Sequence, residues 1–405
     1  MILRRLVCFA ALAFLLAASS AAVARAADQE ALEKRFKEAN AKVDAGDFPP
    51  ALEIYNEILE AEPTAGNVWV MRAIAKWNLK DKSGARADLA QAINLHPDNI
   101  DAYRVRGQFR YQAEDFGGSL ADFNQAIERV KSTVDAIAAN DPDEARAFEK
   151  NNAELYGMRA EVEQKLESRQ AALKDLTHAI ELKPDYVAAL YLRGQLYEAE
   201  QRAADAEADY SRVIELSPKH ADALTNRAWI RFHDLKWDEA VADGKKALEI
   251  EPNAAAALRV IGYSQFAKGD YADAAQTLAV AADADPTPGA AYALFVRHHA
   301  LLRASGADQR LATSWGDWKD EPWPQALAKF ITGQIDEEAL ESAAKDTSDD
   351  GELAGRACEM HFYVGLARKQ AGDKSTARLR FQSALHTEQK TYIEDALASA
   401  ELKRL

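Results

Sequence analysis

Small and large apolar positions alternate with polar stretches along this chain in a pattern that repeats every 34 residues. In each unit a small residue is followed after four residues by a large one, after three more by a second small one, and then by proline. These spacings place the apolar positions on one face of an α-helix. A large and a small residue recur about one helix upstream, so each unit predicts two antiparallel helices. The downstream sets are Ala51, Tyr55, Ile58 and Pro63; Ala85, Leu89, Ala92 and Pro97; Ala172, Leu176, Ala179 and Pro184; Ala206, Tyr210, Val213 and Pro218; Ala240, Gly244, Ala247 and Pro252; and Ala274, Leu278, Ala281 and Pro286.

This pattern resembles the tetratricopeptide repeat (TPR), in which large residues fill gaps left by small ones. The resemblance implies an all-α fold, a right-handed solenoid of antiparallel helix pairs. One unit is interrupted, because the step from Ser119 to Ala172 exceeds one period by 19 residues. Pro142 lies in the excess and disfavours helix in the residue before it, so we expect a helix that overruns, breaks and restarts.

One unit departs from the pattern at its large position, which Gly244 occupies. Its helix pair therefore leaves room for a large neighbour. Trp237 is the nearest candidate, and we expect its side chain to fill the space.

The amino terminus has the features of a secretory signal peptide. Arg4 and Arg5 precede an apolar run over residues 6–18, and Ala24 and Ala26 flank a cleavage position. We expect a mature chain that begins at Ala27 and is soluble in the periplasm. An uncleaved membrane anchor is the alternative, although the run is short for a membrane span.

The net charge of the chain is −15, and loss of three leader arginines with no acidic residue would make it −18. We therefore do not expect nucleic acids or anionic membranes as partners, because binding to them needs concentrated lysine and arginine. After cleavage Cys358 would be the only cysteine. We expect it to be a small buried residue at a helix start rather than a nucleophile.

No motif in the sequence points to catalysis, to a cofactor or to a metal site. His298 and His299 are adjacent, so on a helix they point about 100° apart and cannot grip one metal ion as an i, i+4 pair can. Glycine-rich phosphate loops are also absent from the sequence. We therefore expect a protein without enzymatic activity that binds protein or peptide.

The candidate binding residues lie on the first helix of each pair, which lines the hollow of a TPR solenoid. Aromatic residues with arginine and glutamine are typical of peptide-binding surfaces. The alternative is that several of them pack helix against helix, and for Trp229 and Tyr263 both interpretations stay open. The predicted groove residues are Trp77, Arg104, Gln108, Tyr111, Tyr191, Gln195, Trp229, Phe232, His233, Arg259, Tyr263 and Phe266.

A terminal-carboxylate clamp, a binding site of some TPR proteins, is not expected here. Asn226 matches its middle position, but Tyr191, Gln195, Ala256 and Val260 replace the flanking lysine, asparagine and arginine. We therefore expect an internal or extended segment as the ligand.

Beyond the regular repeats, Trp323-Pro324 opens a helix that ends at Phe330-x-x-Gly333. Cys358-Glu359-x-x-Phe362-Tyr363-x-Gly365 then enters a last repeat. This combination resembles the carboxy-terminal region of the NlpI-like (new lipoprotein I) TPR proteins of Gram-negative envelopes. The resemblance implies a noncatalytic periplasmic adaptor that docks a protease and peptidoglycan hydrolases or synthases, and it allows a homodimer. This chain departs from the family by lacking a lipid-attachment cysteine and by having more regular repeats.

An alternative function is that of a scaffold subunit in an export or exopolysaccharide-secretion assembly. The predicted organisation is a signal peptide over 1–26, TPR units 1–3 over 27–133, a helical insertion over 134–152, TPR units 4–7 over 153–288, a degenerate repeat with linking helices over 289–357, and a final TPR with a capping helix over 358–405.

Overall fold

The computed structural model describes residues 29–285, 289–304, 311 and 321–405. The predicted signal peptide and Pro286 lie outside these residues, as do residues 305–310 and 312–320 of the predicted degenerate repeat. The chain divides into two compact units, Met1–Ala189 and Leu190–Leu405. Each unit is described by itself.

The described part of the first unit is a series of α-helices, as the repeat pattern predicts. Antiparallel neighbours pack as pairs, α3 with α4, α5 with α6, and α8 with α9. Its helices are α1 (29–44), α2 (Phe48–Ala61), α3 (Gly66–Asn78), α4 (Lys82–Leu95), α5 (Ile100–Gln112), α6 (Phe116–Ala138), α7 (Pro142–Asn151), α8 (Glu154–Lys165) and α9 (Arg169–Leu182), and α10 (Val187–Ala199) follows across the boundary.

The described part of the second unit is also helical. Here α12 pairs with α13, α14 with α15, and α19 with α20. Its helices are α11 (Ala203–Leu216), α12 (Ala221–His233), α13 (Trp237–Ile250), α14 (Ala255–Lys268), α15 (Tyr271–Ala284), α16 (Gly289–Ala304), α17 (Pro322–Ile331), α18 (Glu337–Ala344), α19 (Asp350–Gln370), α20 (Lys374–His386) and α21 (Ile393–Leu402).

Small residues on the first helices meet large residues on the second helices. A methyl group on Gly194 would lie 2.7 Å from Cε1 of Tyr210, and one on Gly262 would lie 2.5 Å from Cγ of Leu278. Such distances are shorter than carbon atoms tolerate, so only glycine permits this approach. The small-with-large packing expected from the sequence is confirmed at these positions.

The space beside Gly244 is filled by Ile261, and the prediction that Trp237 fills it is wrong. A methyl group on Gly244 would lie 2.7 Å from Cγ1 of Ile261, which comes from the next helix pair. Trp237 instead packs, partly buried, against the core around α14, and the ammonium of Lys403 lies 5.6 Å from the centre of its ring. A neighbouring repeat rather than the same helix therefore compensates for the missing large residue.

A ladder of buried ion pairs joins the two helices of five repeats. In each pair an arginine on the first helix contacts an aspartate 16 residues later, with N to O distances of 2.5–2.8 Å. All five aspartates are buried. The ladder stops in the next repeat, where Ile261 takes the arginine position. The pairs are Arg72 with Asp88, Arg106 with Asp122, Arg159 with Asp175, Arg193 with Asp209, and Arg227 with Asp243.

The insertion consists of the overlong helix α6 and the short helix α7 that packs against it. Helix α6 continues to Ala138, and α7 begins at Pro142. The side chain of Asp141 accepts hydrogen bonds from the backbone N–H groups of Asp143 and Glu144, so it caps the new helix.

The predicted helix start at Cys358 is wrong, because α19 runs without interruption from Asp350 to Gln370. Asp349 supplies its amino-terminal cap by accepting a hydrogen bond from the N–H of Glu352. Cys358 therefore lies inside a helix. Its predicted burial is confirmed, and burial raises the pKa of its thiol to about 12.

Candidate functional site

In the first unit, an aromatic pair connects the first helices α3 and α5, with Trp77 partly exposed and Phe109 buried. The ring of Trp77 stacks on Phe109 with centroids 4.1 Å apart and planes inclined by 6°. Its Nε1 donates a hydrogen bond of 2.8 Å to Oε1 of Gln112, and the ammonium of Lys82 lies 5.3 Å from the ring centre. These contacts orient the Trp77 ring, so less ordering of side chains would be needed when a partner binds here.

Three further predicted residues lie on α5 or at its end, and all are partly exposed. Arg104 forms a 2.7 Å ion pair with Asp101 one turn earlier. Gln108 contacts the sulfur of Met158 on α8 at 3.5 Å, and burial raises the pKa of the Tyr111 hydroxyl. We call Trp77, Arg104, Gln108 and Tyr111 the α3/α5 surface.

In the second unit, Tyr191 and Gln195 lie on α10 and are partly exposed. The ring of Tyr191 packs against His220 with centroids 4.7 Å apart. Asn226 donates long hydrogen bonds of 3.4 Å and 3.3 Å to the hydroxyls of Tyr191 and Tyr210. Asn226 therefore connects the hydroxyl groups of two tyrosine residues.

Trp229, His233 and Arg259 form a second group of partly exposed residues in this unit. Trp229 and His233 have ring centroids 6.1 Å apart, and burial lowers the pKa of His233 to about 4, so this imidazole is neutral at pH 7. Arg259 donates a 2.8 Å hydrogen bond to Asp285. The ring centroids of Trp229 and Tyr263 are 6.0 Å apart, so the two residues are neighbours.

The predictions that Phe232, Tyr263 and Phe266 line an open groove are wrong, because all three are core residues. Phe232 and Phe266 are fully buried, and Tyr263 is 2% exposed. The cause is α21, which packs against the first helices α12 and α14 and adds Ala396, Leu397 and Ala398 to the same core. We call the face formed by α12, α14 and α16 the covered face.

Polar groups as well as apolar ones hold α21 on the covered face. Glu401 is buried and accepts hydrogen bonds from Arg303 (2.7 Å) and Lys369 (2.8 Å). Burial alone would raise the pKa of Glu401, but the hydrogen bonds from Arg303 and Lys369 lower it. Sequence reasoning missed this residue, although acidic residues recurring within an alanine-rich segment were a visible signal.

Two more carboxyl groups are buried where α21 meets α19. Glu359 accepts hydrogen bonds from Nε1 of Trp323 (2.5 Å) and the hydroxyl of Tyr292 (3.1 Å). Glu394 accepts one from the hydroxyl of Tyr363 (3.1 Å). Burial raises the pKa of Glu359 to about 7. Burial, reinforced by the nearby Glu359, also raises the pKa of Glu394 well above its usual value.

Stability is therefore expected to depend on pH through Glu359. Its pKa is higher in the folded chain, so the free energy of unfolding falls as pH rises from about 4.5 to about 7. The raised pKa of Glu394 on α21 adds to this dependence of stability on pH. The positive charge of Arg356 on α19 and the hydrogen bonds from Tyr292 and Trp323 oppose it, because they lower the pKa of Glu359.

Denaturant titrations should show Glu359→Gln gaining stability relative to wild type between pH 5 and pH 8. Glu338→Gln, at an exposed position of α18, is the control. Parallel curves for wild type and Glu359→Gln would contradict the assignment.

The described residues contain no cluster of three or more histidine, cysteine or acidic side chains arranged to hold a metal ion. His298 and His299 are both buried, and their rings are inclined by 85°. None of the described helices is both long enough and apolar enough to span a membrane.

Comparison with known proteins identifies the repeat. The family model of the tetratricopeptide repeat matches residues 36–99, 70–132, 158–221, 201–254 and 236–288. No curated protein shows significant similarity to this sequence.

Several solved structures share part of the architecture. YrrB, described as a TPR protein with an unusual peptide-binding site, is 22% identical, with 50% of this chain and 95% of YrrB covered and a TM-score of 0.40. The pilF protein of Pseudomonas aeruginosa is 12% identical, with 56% of this chain and 96% of pilF covered and a TM-score of 0.48. The carboxy-terminal part of a TPR protein from Cytophaga hutchinsonii is 16% identical, with 64% and 99% covered and a TM-score of 0.47.

Proposed function

Because the chain belongs to the tetratricopeptide repeat family, we propose that it is a noncatalytic adaptor that binds a protein partner on the α3/α5 surface. Proteins of this family mediate protein–protein interaction. The observation that carries the choice of surface is the preformed stack of Trp77 on Phe109. Arg104, Gln108 and Tyr111 beside it remain partly exposed.

The chemistry of the α3/α5 surface favours a peptide segment as its ligand. Aromatic rings offer a large contact area and have few rotamers to lose, and arginine is common among residues that dominate binding energy. Within the described part of the chain Arg104 pairs only with the exposed Asp101, so a partner's carboxylate could replace that contact at little cost. A polar, extended segment with one acidic residue fits this surface.

We further propose that the adaptor works in the periplasm and docks envelope enzymes, a protease and peptidoglycan hydrolases or synthases. Two features of the sequence support this proposal. One is the amino-terminal leader with its predicted cleavage before Ala27. The other is the NlpI-like combination that runs from Trp323-Pro324 to Gly365.

Affinity capture from the periplasm tests this function. Wild-type protein should capture an envelope protease or a peptidoglycan enzyme, and the Arg104→Ala/Tyr111→Ala variant should lose it. Each truncation of a dominant contact costs about 2 kcal/mol, roughly thirtyfold in affinity. Tyr197→Ala/Arg202→Ala is the matched control, because this pair stacks elsewhere, with the guanidinium 4.1 Å from the ring centre.

The identity of the captured protein separates the two candidate functions. Subunits of an export or polysaccharide-secretion assembly would replace the envelope-enzyme proposal with the scaffold alternative. Equal capture by wild type and Arg104→Ala/Tyr111→Ala would contradict the α3/α5 surface as the binding site.

A further inference from the structure

The covered face already holds a helix in the manner of a bound ligand. Helix α21 is only ten residues long, yet it packs against α12 and α14 on one side and α19 and α20 on the other. The apolar side chains that α21 buries are mostly alanines on either side of Leu397. Its buried residues are Glu394, Ala396, Leu397, Ala398, Ala400 and Glu401.

Specific charged contacts fix the carboxy-terminal end of α21. Glu401 accepts hydrogen bonds from Arg303 on α16 and from Lys369 on α19. Arg404 donates to the backbone carbonyl of Ala267 near the end of α14, where a cation is favourable for the helix dipole. A carboxylate followed by a cation is therefore what this face recognises on a helix.

At the amino-terminal end of α21, a buried carboxyl group makes docking of the helix less favourable. Glu394 is buried beside Glu359, and no described lysine or arginine lies within salt-bridge distance of it. Among the described side chains, the hydroxyl of Tyr363 donates a hydrogen bond to Glu394, but no cation pairs with this carboxyl group. Its burial therefore opposes docking, whereas an apolar residue would favour it. Docking of α21 is thus weaker than its burial alone would give.

The connection to α21 is short. Helix α20 ends at His386 and α21 begins at Ile393, so six residues tether it. A short tether gives an effective concentration in the millimolar range, which can keep even a weakly bound helix in place. An external helix would have to compete against this local concentration.

We propose that the covered face is a binding site for an amphipathic partner helix, and that α21 occupies it as an internal competitor. The partner helix has an alanine- and leucine-rich face and a carboxylate at the position of Glu401. This inference deepens the proposed adaptor function and rests on it for the existence of such a partner. The site itself is tested with the chain's own sequence, so its failure is distinct from failure to capture an envelope enzyme.

The test uses the full-length chain and a fluorescein-labelled synthetic peptide of residues 389–405. Leu397→Asp in the chain places a charge in the buried side of α21 and should release it while leaving α12, α14 and α16 unchanged. Fluorescence anisotropy should show the peptide binding this variant at least about tenfold more tightly than wild type, in which the tethered helix competes. The same peptide carrying Glu401→Gln should bind at least about tenfold more weakly, because a charged partner of Arg303 and Lys369 is lost.

The matched control is Leu379→Asp, the same substitution at a leucine of α20 that is 63% exposed. It should bind the peptide no better than wild type. A folded Leu397→Asp chain that does not bind the peptide would overturn the proposal. A wild-type dimer that Leu397→Asp dissociates, measured by light scattering, would assign α21 to a second copy and overturn it as well.

Should Leu397→Asp lose its helical circular dichroism, hydrogen exchange on the wild-type chain decides. Backbone amides of α21 should then exchange before those of α14, because a competitor helix opens without global unfolding. Exchange of both helices only in the same global step would make α21 an integral part of the core and overturn the proposal.

Discussion

Asp122→Ala is expected to destabilise the first unit by on the order of 3 kcal/mol. Asp122 is buried and binds both Arg106 (2.7 Å) and Arg110 (2.9 Å). Removing one partner of a buried pair leaves the other charge uncompensated, which costs about 3–5 kcal/mol. The lower end applies because the Arg106 side chain is 24% exposed and water can solvate part of it. Urea denaturation followed by circular dichroism measures the loss.

Asp143→Ala is the matched control for the buried pair. Asp143 contacts Arg146 at 3.5 Å, and its side chain is 94% exposed, so its loss should leave the denaturation midpoint unchanged within error. Equal effects of the two substitutions would mean that the arginine–aspartate ladder adds nothing beyond surface charge.

Tyr263→Ala is expected to lower the free energy of unfolding by about 3–5 kcal/mol, the range for a buried aromatic residue truncated to alanine. Tyr263 lies within ring-contact distance of Trp229 and Phe232, at 6.0 Å and 6.2 Å between centroids. Helix α21 closes the space above these rings. Truncation would leave a cavity that the surrounding helices cannot fill by small movements.

Two comparisons make the Tyr263 result specific. Tyr263→Phe keeps the ring and should cost less than about 1.5 kcal/mol, as near-isosteric core changes do. Tyr191→Ala, at a partly exposed tyrosine of α10, should cost less than Tyr263→Ala. A loss below about 1 kcal/mol for Tyr263→Ala would return this side chain to an open groove.

The 34-residue period predicted the all-α repeat fold because its physical cause is local. Glycine or alanine on one helix and an aromatic residue or leucine on the next must coincide in space, and Gly194 with Tyr210 shows how close the fit is. Where one member was missing, at Gly244, the sequence did not reveal which neighbour compensates. Ile261 lies in the next repeat, and contacts between repeats are not encoded in the spacing within one.

The buried contacts on the first helices, next to the candidate site residues, could be predicted from the sequence only in part. The arginine–aspartate ladder did have a signal in the sequence, since each arginine directly precedes the small residue of its first helix and each aspartate directly precedes the large position of its second. The burial of Phe232, Tyr263 and Phe266 had none within their own repeats. It depends on α21, more than a hundred residues later, and amphipathic pattern alone does not say which face a terminal helix covers.

Site-specific photocrosslinking in cells tests the central claim, that a partner binds the α3/α5 surface. A benzophenone amino acid at Gln108 on α5 should give a covalent adduct with an envelope protein on irradiation. The same amino acid at Val280, which is 48% exposed on the second helix α15, should give none. Absence of an adduct at Gln108, or equal adducts at both positions, would contradict the account.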